Sequence, residues 1–258
     1  MVHPVLLKIG SFKIYSYGVF VAIGFIAALW VAGREISRKG LDREAFLDMG
    51  FWVVISAIAG ARIFHVLVYW DQYRVDPSEI LKLWNGGLVF YGGFLAAVAA
   101  CVYFLRRHHM PFLPVADASA LGIPLGLGFG RIGCTAAGCC YGKLTTVPWA
   151  VVFTDPASLA PLGVHLHPTQ IYESIAGFAI FGTLYLARDR FRTPGMMFWT
   201  MIILYAVIRS FLEFYRDDPR GFVGPFSESQ IVSAILFVYA VVSIVRARSR
   251  ERTAVPSK

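Results

Sequence analysis

Seven stretches of this 258-residue chain are apolar enough and long enough to cross a bilayer, and few folds accommodate that many. They run over residues 14–33, 46–70, 88–105, 114–129, 170–187, 196–214 and 229–245. A hydrocarbon core about 30 Å thick takes about 20 residues of helix. Backbone groups in lipid must be satisfied within the segment, so each stretch is read as a helix. The bulk composition agrees, with 57% hydrophobic and 16% charged residues and a mean hydropathy of +0.61. Soluble domains carry about 25% charged residues. The expected fold is therefore all-α, a polytopic membrane protein with seven transmembrane helices. The fourth stretch is short and interrupted by Pro124, Gly122, Gly126 and Gly128, so it reads as irregular. With no internal repeat or linker, residues 1–258 form one expected domain, ending in a basic tail from about residue 246.

Basic residues set the expected orientation. Arg34, Arg38, Lys39, Arg43, Arg106, Arg107, Arg188, Arg190, Arg192, Arg246, Arg248, Arg250, Arg252 and Lys258 would share one side. Lys8, Lys13, Arg74, Lys82, Arg131, Lys143, Arg216 and Arg220 would lie on the other. Fourteen against eight places the N-terminus outside and the C-terminus in the cytoplasm. The net charge of +8 is accounted for by these loops, and no basic stripe interleaved with aromatics points to nucleic acid. Met1-Val2-His3-Pro4 has no basic n-region or cleavage site, so the spans themselves are expected to direct insertion.

Charges inside spans point to function, because a charged side chain at mid-helix costs about 2.5–3.5 kcal/mol on insertion scales. Arg62 and Arg209 are two such residues. Glu213 lies four residues after Arg209 on the same helical face, and Arg216 would continue that face outward. One reading is a structural ion pair with snorkelling arginines. The other is a cationic seat for an anionic group, since guanidinium binds phosphate through two parallel hydrogen bonds. Arg131, at the end of another span, would be its second arm. Arg62, beside Gly60 and Ala61, leans structural, with a head group or a carboxylate such as Asp117 as its expected contact.

Gly86, Gly87, Gly92 and Gly93 bracket the start of the third span and permit close approach of a helix or a bulky ligand. Tyr91 and Tyr17 stand at outer span ends, where a belt tyrosine and a site residue look alike. Gln170 and Glu173 share one face of a starting helix and could bind a head group or hold an arginine. His165 and His167 lack a carboxylate at metal-binding spacing. Cys101 reads as a buried apolar residue. Cys134, Cys139 and Cys140 would face an oxidising exterior. A disulfide from Cys134 to Cys139 or Cys140, plain packing, a metal site and a nucleophile beside Arg131 or Lys143 are the open readings. Vicinal pairing of Cys139 with Cys140 is strained, and zinc would favour C-x2-C pairs that are absent, so no metal is expected.

Taken together, these segments resemble the bacterial prolipoprotein diacylglyceryl transferases. The resemblance covers most of the chain. It rests on Tyr17-Gly18, Gly60-Ala61-Arg62, Gly87 to Gly93, Asp117 with Pro124-Leu125-Gly126, and Gly130-Arg131-Ile132-Gly133 with Gly142. It continues in His167-Pro168-Thr169-Gln170-Ile171-Tyr172-Glu173 and in Arg209 through Glu213 to Arg216. It implies transfer of the diacylglyceryl group of phosphatidylglycerol to the lipobox cysteine of a preprolipoprotein in the bacterial cytoplasmic (inner) membrane, without a cofactor. Under that reading Arg131, Arg209, Tyr91 and Tyr17 are catalytic. Gly142, Gly92, Gly93, Gln170, Glu173, Glu213 and Arg216, with Arg131, bind substrate, and membrane lipids surround the protein.

Three positions depart from the family pattern. The family commonly has histidine where this chain has Tyr91, asparagine at Cys134 and an acid at Cys139. Tyrosine, with a pKa near 10, is a poorer base than histidine at neutral pH. Two alternatives follow: a non-catalytic protein that binds or transports anionic lipid on the same scaffold, and a paralogous transferase with another acceptor.

Overall fold

The computed structural model describes residues 3–9, 12–82, 86–217, 222–223 and 226–254. Arg220 and residues 255–258 of the basic tail, both used in the charge comparison, lie outside them. The chain is mostly helical: α1 (Ser16–Arg38), α2 (Arg43–Val68), α3 (Trp70–Tyr73), α4 (Phe90–Arg107), α5 (Phe112–Ala137), α6 (Thr169–Ala187), α7 (Met196–Leu212) and α8 (Glu228–Ala254). Three short antiparallel pairs, unforeseen in the sequence, join β1 (Val5–Ile9) to β2 (Phe12–Tyr15), β3 (Val151–Val152) to β4 (His165–Leu166), and β5 (Phe222–Val223) to β6 (Phe226–Ser227). The first span thus begins at Ser16 rather than Ile14, because residues 12–15 are strand.

Six helices among the described residues are long and apolar enough to cross a membrane: α1, α2, α4, α5, α7 with its following turn, and α8. The expected span over 170–187 is present as α6, 19 residues long. It falls short on apolarity because its first turns are polar, with Thr169, Gln170, Glu173 and Ser174 all buried. The fourth span is not interrupted. It is one 26-residue helix, α5, with Pro124 inside it.

The chain divides into two compact units, one of Met1–Ala32 with Ala116–Lys258, the other of Gly33–Val115. In the second, α2 and α4 pack through their backbones. A Cβ on Gly60 would lie 2.6 Å from the Gly92 carbonyl oxygen, and one on Gly93 would lie 2.9 Å from that of Ala57. Gly92 and Gly93, expected at a substrate site, therefore owe their small size to helix packing. Arg62 is buried in this unit, and five carbonyl oxygens receive its N–H groups. Nη2 donates to Glu79 at 2.5 Å and Lys82 at 3.4 Å, Nε to Ile80 at 3.0 Å, and Nη1 to Gly86 at 2.5 Å and Gly87 at 3.0 Å. The Tyr73 ring lies 5.2 Å away. Gly86 and Gly87 adopt left-handed φ of 82° and 79°, which turns their carbonyls inward.

The expected carboxylate partner of Arg62, Asp117, does other work. Fully buried, it accepts from the backbone N–H groups of Gly195 at 2.8 Å and Phe198 at 2.9 Å. A carboxylate on α5 thus caps the positive end of α7. The core of this first unit joins Val31, Leu121, Leu125, Ile180, Leu184 and Met201. The glycines that made α5 look broken form its packing face. A Cβ on Gly122 would lie 2.7 Å from the Ala28 carbonyl, and one on Gly128 would lie 2.7 Å from the Phe178 ring.

Candidate functional site

Five charged side chains converge inside the first unit, each delivered by a different local device. Arg131 comes from the penultimate turn region of α5, Glu173 from the second turn of α6, and Arg209 from the last turn of α7. Glu213 and Arg216 follow through a 3-10 turn, Glu213–Tyr215, after which Arg216 is extended (φ −86°, ψ 150°). Arg216 therefore does not continue the Arg209 stripe as the helical reading expected, because the helix ends at Leu212. Its backbone bridges to Gly142, and its side chain turns to Glu173.

Glu173 is the hub. One carboxylate oxygen pairs with Nε of Arg131, and the other meets Nη1 of Arg216 at 2.5 Å and lies 4.0 Å from Nη1 of Arg209. Arg209 Nη2 pairs with Glu213 at 2.6 Å and donates to Ser229 Oγ at 3.2 Å. Side-chain exposure is 4% for Glu173, 7% for Arg209 and 2% for Arg216, whereas Arg131 keeps 18%. Three guanidiniums against two carboxylates leave this group one positive charge in excess. Burial makes that excess matter, since unpaired charge in low dielectric is costly. Arg131 is the member best exposed to an arriving anion. Of the two readings of Glu173, the structure bears out the one in which it holds an arginine.

The neighbouring loop is tied to the same helix. Gly142 donates its N–H to the His167 carbonyl at 3.0 Å, and Lys143 donates to that of Tyr215 at 2.8 Å. A Cβ on Gly142 would meet the Tyr215 carbonyl and the Thr169 methyl group, so this glycine serves a close backbone junction rather than a ligand cradle. Gln170, expected at the head group, donates instead to the Cys139 carbonyl at 2.8 Å, and Thr169 donates to that of Cys140 at 2.9 Å.

All four cysteines are free thiols, so of the open readings the disulfide from Cys134 is not the one the structure contains. The sulfurs of Cys134, Cys139 and Cys140 lie within 4.8 Å of one another. Arg131 Nη1 is 3.8 Å from Cys134 Sγ. Hydrogen bonds from the other two thiols, then the Arg131 and Arg216 guanidiniums, hold the Cys140 thiol well below the usual thiol range, while thiol–thiol hydrogen bonding pushes Cys139 up.

The backbone of Tyr17, in the first turn of α1, lies against Gly133, where a Cβ would be 3.2 Å from the Tyr17 carbonyl. Tyr91 stands in the first turn of α4 in the second unit with Gly92 and Gly93, and is 69% exposed. Sequence reasoning missed Ser229, which carries no local signal, and a polar aromatic group beside the site. In that group Trp149 Nε1 donates to the Tyr172 hydroxyl at 2.6 Å, which lies 3.3 Å from His167 Nδ1, and the Tyr215 ring is 5.1 Å from that of His167.

Six membrane-length helices and a buried cluster of three arginines and two glutamates define a polytopic membrane protein with a charged interior site. A family model described as prolipoprotein diacylglyceryl transferase matches residues 4–246. The chain is 35% identical over 238 residues to a phosphatidylglycerol–prolipoprotein diacylglyceryl transferase of Clostridium tetani, covering 92% of this chain and 95% of that one. It is 34% identical over 257 residues to the protein so named in Geobacter sulfurreducens, covering 97% of each. The chain belongs to the prolipoprotein diacylglyceryl transferase family.

Proposed function

We propose that this protein transfers the diacylglyceryl group of phosphatidylglycerol to the lipobox cysteine of a preprolipoprotein. The substrate sulfur forms a bond to the glycerol carbon, the carbon–oxygen bond to phosphate breaks, and glycerol phosphate leaves with the electron pair as the thiol proton is released. The observation that carries this reading is the single excess positive charge of the Arg131–Arg209–Arg216 group over Glu173 and Glu213. Charge builds on phosphate oxygens as the bond breaks, and preorganised cations facing it lower the barrier.

In this proposal Arg131, the most exposed of the three, meets the phosphate, and Arg209 backs it across Glu173. The cationic field favours the substrate thiolate, whose thiol has a free pKa of about 8.5. Tyr17 lines the entry beside Gly133. The chain acts as one domain over residues 1–258 in the bacterial inner membrane. α6 completes seven spans, with the N-terminus outside and the site toward the outer leaflet, as the Lys/Arg asymmetry supports.

The test is incubation of protein-containing membranes with labelled phosphatidylglycerol and a lipobox peptide. A thioether-linked diacylglyceryl peptide and free glycerol phosphate are the expected products, both lost in Arg131→Ala and Arg209→Ala. Lipid binding without either product would favour the non-catalytic reading, and label on another acceptor would favour a paralogous transferase.

A further inference from the structure

The loop after α5 is built in a way that its spacing hides. The N–H of Gly138 bonds to the Thr135 carbonyl at 3.2 Å, and that of Cys139 bonds to the Cys134 carbonyl at 3.2 Å. With Gly138 at a φ of 75°, these two bonds make a Schellman helix ending. Such an ending brings the residue two past the helix back onto the residue three before its cap. Here those residues are Cys139 and Cys134. Cys140 then takes a left-handed φ of 59°, unusual for a residue with a side chain. The turn is held from α6, where Gln170 and Thr169 clamp the Cys139 and Cys140 carbonyls. Strained backbone and two buried donors thus fix three thiols around one point. The sulfurs lie within 4.8 Å of one another, and no fourth His, Cys, Asp or Glu joins the group among the described residues.

We propose that Cys134, Cys139 and Cys140 form a three-sulfur binding site for a soft monovalent metal ion, Cu(I). Two thiolates bound to one metal at about 2.3 Å can be no farther apart than about 4.6 Å, so small side-chain adjustments suffice. Thiolate ligands select Cu(I) or zinc. Structural zinc takes four protein ligands, whereas three sulfurs complete a Cu(I) site. Each thiol releases its proton on binding, and no change of oxidation state is needed. Three thiolates and Cu(I) carry a net charge of −2, and the adjacent Arg131 and Arg216 supply compensation, with Arg131 already 3.8 Å from Cys134 Sγ. The proposal does not rest on the transferase reading, although the two draw on the same Arg131 and Arg216, and its test reads metal binding rather than transfer.

The experiment is an oxygen-free titration of the reduced, detergent-solubilised full chain with Cu(I) against a chromogenic Cu(I) chelator. X-ray absorption of the loaded protein would count the sulfurs. About one copper per chain bound by three sulfurs is expected. Cys101→Ser, which alters a cysteine of α4 outside the cluster, should bind as the parent does. Cys134→Ser, Cys139→Ser and Cys140→Ser should each weaken binding at least about tenfold, since each removes one of three ligands. Should the serine variants fail to fold, mass spectrometry of the parent decides: Cu(I) must protect these three thiols, and not Cys101, from alkylation. No copper withdrawn from the chelator, uptake unchanged in a folded triple-serine variant, or preferential retention of zinc would each overturn the site.

Discussion

Replacing Glu173 by glutamine removes one charge and almost no volume from the most connected carboxylate in the protein. Glu173 touches Arg131 and Arg216 and lies 4.0 Å from Arg209. The charge balance of the cluster moves from one positive charge in excess to two. At an effective dielectric constant of 20, unit charges 4 Å apart interact by about 4 kcal/mol. Removing one partner of a buried pair costs about 3–5 kcal/mol, because the other charge stays behind. For a chain of this size that corresponds to roughly 6–20 °C of thermal midpoint. Glu213→Gln serves as the internal comparison, losing its pairing with Arg209 at a cost of about 1.5–3 kcal/mol. The assay is thermal unfolding of detergent-solubilised protein with and without added phosphate. Phosphate should restore more stability to Glu173→Gln than to the parent, because the variant holds the larger unmet positive charge. A midpoint for Glu173→Gln equal to or above that of Glu213→Gln, with no phosphate effect, would refute the hub argument.

Gly92→Ala should cost about 1–3 kcal/mol by forcing α2 and α4 apart, read as a lower midpoint in the same assay. A normal midpoint with a raised KM for phosphatidylglycerol would instead return Gly92 to a ligand role. Asp117→Ala should lower the midpoint by about 1.5–3 kcal/mol through loss of its charged cap on α7, and Asp117→Asn by less. Hydrogen bonds from Cys134 and Cys139 hold the Cys140 thiol below its ordinary range and push Cys139 up, so in metal-free protein the alkylation of Cys140 should inflect below the usual value of about 8.5 and that of Cys139 above it. Equal profiles for the two residues would contradict the hydrogen-bonded thiol triad.

What could be read in advance divides along the range of the interactions. Apolar runs marked the helices because lipid imposes a length, and Arg209 with Glu213 was legible because four residues make one helical turn. Pro124 and the glycines of α5 misled because, taken alone, they are helix breakers. Their neighbours, Ala28 of α1 and Phe178 of α6, lie far away in the chain, and only those contacts turn small residues into a packing face. Glu173 could be placed on its helical face, yet its choice between a lipid and an arginine depended on Arg216, 43 residues onward. The carbonyl ring around Arg62 was invisible, since every residue type carries a backbone carbonyl. The three cysteines were legible as a group but their arrangement was not, because spacing rules assume a simple loop and here a glycine-terminated helix folds the chain back on itself.

The Arg62 ring has a consequence for the order in which the protein is made. Its oxygens belong to residues 79 to 87, which lie 17 to 25 positions after the arginine. A ribosome therefore releases α2 with its cation before the groups that will solvate it exist. Until Gly87 has emerged, that helix carries a bare guanidinium, and water or lipid phosphate must stand in for the missing carbonyls. The charge on this helix is thus solvated by a later loop rather than by anything in the helix that bears it.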